Sequence, residues 1–138
     1  MTGDWRQLAR AYLLLLGAGL LLEGAALLLA AAVNLAVPYA LDNRHNALHV
    51  VWGLLILGVL ATSGDSSRLV SLALSFGVFY VGLAFAGMVL VNPFGLLLGP
   101  GENVFHLTVG TGSLVAAALL QGRLRLAFVR PGSSSRKR

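Results

Sequence analysis

The stretch Asn46-Ala-Leu-His49-Val-Val-Trp-Gly53 returns later in the chain as Asn103-Val-Phe-His106-Leu-Thr-Val-Gly110. Each copy follows a short turn-forming segment and opens a long apolar run. The segments ahead of the copies also match, with Val33-Asn34 and Pro38 before the first and Val91-Asn92-Pro93 before the second. Two similar halves, each closing with a helix that begins Asn-x-x-His, predict an all-α protein. The expected fold is a four-helix transmembrane bundle made of two parallel-repeat helical hairpins.

Composition sets the solvent. The 138 residues are 57% hydrophobic and 11% charged, against about 25% charged in a water-soluble domain. So few charges cannot cover a surface in water, whereas long apolar runs suit a bilayer. The absence of cysteine excludes disulfides, zinc–thiolate sites and thiol catalysis. Six of the ten basic residues lie beyond residue 122: Arg123, Arg125, Arg130, Arg136, Lys137 and Arg138. That tail directly follows an apolar helix and has no interleaved aromatic residues. It reads as a lipid head-group contact, with Arg123, Arg125 and Arg130 nearest the bilayer, and not as a nucleic-acid surface.

Taken in order, spans are expected at about 11–33, 46–62, 69–91 and 103–121. They form one membrane domain over 1–122, with a basic tail over 123–138. Each run approaches the roughly 20 residues needed to cross about 30 Å of hydrocarbon. Trp5 and Tyr12 are placed at head-group level. The first run exceeds a signal-peptide core and is kept as a helix. Ser63-Gly64-Asp65-Ser66-Ser67-Arg68 reads as a tight polar turn, Asn92-Pro93 as a helix stop, and Phe94 to Gly101 as an interfacial loop. With four spans both termini share a side. Arg6, Arg10, Arg68 and the basic tail fall there, and only Arg44 falls opposite. The positive-inside rule then puts both termini in the cytoplasm of a cell (inner) membrane protein.

The ordered series His45-Asn46-Ala-Leu-His49-Val-Val-Trp-Gly53, Phe76-Gly77-Val-Phe-Tyr80, Asn92-Pro-Phe-Gly95-Leu and Gly101-Glu102-Asn103-Val-Phe-His106 resembles a family of small bacterial four-helix integral membrane proteins grouped as a domain of unknown function. The likeness covers roughly residues 10–120. It implies the fold and no activity, and Glu23 matches nothing in the pattern.

Few residues carry chemistry. Asn46 and Asn103 are expected to cap the free amides of helices 2 and 4, with His49 and His106 at the third helical position. His45, His49, His106, Asp42 and Glu102 share the outer end, and neutral imidazole with carboxylate suits a zinc, copper or iron ion. Two histidines on different helices could instead hold a haem axially. Glu23 is the one acid inside a span, where charge is costly; Tyr80, Thr111 and Ser113 are its expected partners by depth. The many small residues within spans are read as helix packing. Phe76, Phe79 and Phe85 are read as packing or lipid-facing bulk. No HExxH, Walker or GxSxG pattern occurs, so no enzyme is expected. The leading functional reading is a structural or accessory subunit associating with itself or with a larger membrane complex. A metal or haem site on His49 and His106 and a proton or ion conductor using Glu23 stand as alternatives.

Overall fold

The computed structural model describes residues 4–37, 42–90 and 92–122. The tail carrying Arg123, Arg125 and Arg130, with Pro38 and Val91, lies outside the described residues. Four helices follow one another: α1 Asp4–Ala32, α2 Asn43–Thr62, α3 Ser66–Val89 and α4 Pro100–Leu120, with a short 3-10 turn at Pro93–Gly95. No strand occurs among the described residues, and all four helices are long and apolar enough to cross a membrane. The fold is an all-α, multi-pass four-helix bundle.

Every helix begins earlier than the apolar runs suggest, because polar residues supply the first turns. Asp42 caps α2, its side chain accepting from the amides of Arg44 and His45. Asp65 caps α3 through the Ser67 amide. The polar turn is thereby cut to Ser63-Gly64-Asp65. α4 starts at Pro100, with Gly99 as its cap residue. Proline is suited to a first helical position, where its missing N–H removes no intrahelical bond. Asn46 and Asn103 are thus not caps. Both lie inside their helices and are buried. α3 stops at Val89, ahead of Asn92-Pro93, where the residue before proline is driven out of helical conformation.

α1 packs chiefly on α2 and α3 on α4. The α1–α4 contact joins the two hairpins, and α2 touches α3 more lightly. Each close pair is set by glycine. A methyl built on Gly53 would stand 2.7 Å from the Leu21 backbone nitrogen and 2.8 Å from the Gly17 carbonyl oxygen. One on Gly110 would stand 2.8 Å from the Val81 nitrogen and 3.1 Å from the Gly77 carbonyl oxygen. In lipid, helices gain little from burying apolar surface, so this close backbone approach supplies much of the association.

The core is Leu13, Leu20, Ile56, Leu69, Ala73, Phe76 and Tyr80 with Ala116, Ala117 and Leu120. Phe76 and Tyr80 stack at 4.2 Å, and Trp52 meets Phe76 edge-on at 5.2 Å. Phe79 and Phe85 face outward. Tyr12 turns toward α4: its hydroxyl donates to the Val109 carbonyl at 2.8 Å and lies 3.3 Å from Ser113 Oγ, tying α1 to α4. The loop before α4 holds Asn92, Phe94 and Gly95 at positive φ. Phe94 is 82% exposed.

Candidate metal centre

Because α2 begins at Asn43, His45 and His49 both fall on helix, four residues apart and therefore on one face. That face is turned inward: His45, Asn46 and His49 are all buried. His106, six residues into α4, is fully buried and meets them from the other hairpin. The Nε2 atoms of His45 and His106 are 3.1 Å apart. The His45 ring lies 4.5 Å from that of His49 and 5.1 Å from that of His106. One nitrogen from each of the three rings lies within 4.8 Å of the others.

Glu23 completes the group. Its Oε2 is 2.8 Å from His49 Nδ1, which corrects the expected pairing with Tyr80, Thr111 or Ser113. Ser113 bonds instead to the Val109 carbonyl within α4, and Thr111 is exposed. Tyr80 packs edge-on against the His106 ring at 5.0 Å. Depth alone did not select the partner, because the chief neighbour of α1 is α2, which carries His49. Glu23 sits nine residues from the C-terminal end of α1, about 14 Å at 1.5 Å per residue, and reaches His49, the seventh residue of α2, about 9 Å from that helix's start.

A neutral His49 that donates Nδ1–H to the carboxylate keeps a bare Nε2 lone pair. That atom is buried and has no partner among the described residues, and the same holds for His106 Nδ1 and the Tyr80 hydroxyl. An unmet buried polar atom costs about 1–3 kcal/mol. Several around one ring cluster mark a place built for something that satisfies them. Two imidazole nitrogens on one ion at ~2.0–2.1 Å stand about 2.9 Å apart at a right angle and about 3.4 Å apart at the tetrahedral angle. The 3.1 Å between His45 and His106 falls within that span.

Neither expected carboxylate ligand joins the three histidines. Asp42 Oδ1 accepts from the Arg44 and His45 amides, and Oδ2 accepts from the Leu97 amide at 2.8 Å. Burial pushes its carboxyl pKa up, but those three amides outweigh it and hold the pKa below the usual range. Glu102 is exposed in the first turn of α4 and is not among the clustered residues. A haem between His49 and His106 does not fit either, because the His45 ring occupies the space its macrocycle would need.

In front of the rings is a cavity of about 230 Å³ lined by Glu23, Leu27, His45, His49, Gly101 and Phe105, with Asp42, Leu97 and Glu102 also along its wall. Sequence reasoning missed Leu27, Leu97, Gly101 and Phe105, since nothing chemical distinguishes them from other lipid-facing residues. The pairing of Glu23 with His49 was also missed; the isolated charge was its only signal. No family model, curated protein or solved structure matches the chain.

Proposed function

We propose that this protein binds one late first-row transition-metal ion, of the zinc–copper class, on His45, His49 and His106. The observation that carries the reading is the convergence of three buried imidazoles, one nitrogen from each within 4.8 Å, with His49 Nε2 left unpartnered. Imidazole suits zinc, copper and nickel, and no thiolate competes. Glu23 then acts as a positioning residue. Its carboxylate fixes the His49 tautomer and ring angle, the arrangement metal-ligating histidines use generally. It also offsets part of the ion's charge where water is scarce.

The distribution of basic residues supports a site near the outer surface of a cell membrane, with both termini cytoplasmic. Matching glycine contacts in the two hairpins support a parallel internal repeat, and with it the resemblance to small bacterial four-helix proteins. A through-membrane proton path draws less support, because beneath the histidines lies an apolar plug of Leu13, Leu20, Ile56 and Phe76. An accessory-subunit role would rest on the outward apolar surface, which any spanning helix carries.

The test is metal loading of detergent-purified protein made without a histidine tag and stripped with chelator. One zinc or copper per chain by elemental analysis, lost when His45, His49 and His106 are all replaced by alanine, is the expected result. Substoichiometric metal, or a triple variant that loads like the parent, rejects the proposal.

A further inference from the structure

We infer that an ion held on the three histidines keeps one coordination position open toward the cavity, where it takes a small exogenous donor. The inference rests on the metal reading above and adds the kind of site it is. Structural sites of this type are closed by four protein ligands, whereas exchangeable ones have three and an open place. The fourth ligand is hard to find here. Asp42 has both oxygens on backbone amides, and Glu23 has its Oε2 on His49 Nδ1 and is not among the clustered ligand residues. Glu102 stands exposed on the cavity wall.

The arrangement also fixes the side on which the open position lies. His45 and His49 line the cavity; His106 and Tyr80 do not. An ion among the three nitrogens therefore has His106 behind it and the cavity before it. The space of about 230 Å³ compares with ~30 Å³ for a water in the liquid, enough for a small anion or neutral donor with attendant waters. Leu27 and Phe105 make part of the wall apolar, which limits the donor to something compact.

Gly101 supplies a clean way to close the cavity. It lines the space, and a methyl built on it meets nothing within 4 Å. Gly101→Leu therefore adds bulk over the opening without disturbing a contact, in a helical position that tolerates leucine.

Protein loaded with cobalt(II) would be titrated with azide while its visible d–d spectrum is followed. The expected result is a saturable spectral change in the parent, and a loss of azide affinity of about tenfold or more in Gly101→Leu at unchanged cobalt stoichiometry, where tenfold corresponds to ~1.4 kcal/mol. Leu27→Trp, which fills the same space from α1, carries the same expectation should Gly101→Leu not load. A cobalt spectrum that azide leaves unmoved overturns the inference while the metal reading stands. So does a filled cavity that responds like the parent. A protein that takes up no cobalt, zinc or copper overturns both.

Discussion

At the scale of single residues, the site depends on one contact between an acid and an imidazole 26 positions apart. Glu23 is 49% exposed while His49 is 4% exposed, so the carboxylate can be altered without emptying the core. Glu23→Gln keeps an oxygen for His49 Nδ1 but drops the charge. Its zinc affinity, measured by competition with a chromogenic chelator, is expected to fall ~10–100-fold, the usual cost of losing a partner behind a metal-bound histidine. Unaltered affinity would remove Glu23 from the site. The sequence marked all three histidines and the lone acid as unusual. It could not say that they meet, because that depends on which helices pack against one another, α1 on α2 for the Glu23–His49 contact.

At the scale of elements, the ends of the helices were the least legible part. An asparagine three residues ahead of a histidine is a sound cap signal, yet Asp42 and Pro100 each start a helix one turn earlier. The buried asparagines instead fill the seams. A methyl on Gly24 would stand 2.6 Å from the Asn46 carbonyl oxygen. Backbone cannot yield there, so Gly24→Ala is expected to destabilise by about 1–3 kcal/mol and to weaken metal binding by parting α1 from α2 beside the Glu23–His49 contact. Gly58→Ala, where a methyl meets nothing, is the neutral control in the same thermal melt. Asp42 gives a pH test. Its carboxyl pKa is held below its ordinary value by three amides, despite burial. The stabilisation is therefore present above the unfolded pKa of ~3.9 and is lost as pH falls through the lower folded value. Asp42→Ala should cost roughly 1 kcal/mol at neutral pH, and Asp42→Asn should keep most of the cap while flattening the acid limb of the stability curve.

At the scale of the whole molecule, the class was plain from the chain alone: four apolar runs, one charged tail and no cysteine leave few alternatives to a helical bundle in a bilayer. What could not be read was the uneven seam between hairpins, close at α1–α4 and light at α2–α3. The small residues along every span permit several pairings, and only the backbone approach chooses among them. His45 and His49 come from one hairpin and His106 from the other, so an ion joins them across that seam. Zinc at a hundred times its dissociation constant is expected to add about 2.7 kcal/mol of stability, read as a higher melting temperature in detergent. A melt indifferent to zinc would count against the site.

The turn at Ser63-Gly64-Asp65 is the sole covalent link between those hairpins, and a side chain added at Gly64 would meet only open space. A chain severed there would yield two membrane fragments, one with two imidazoles and Glu23, the other with a single imidazole. Neither fragment alone could complete the ring of ligands, so reassembly of the severed halves should become a metal-dependent event.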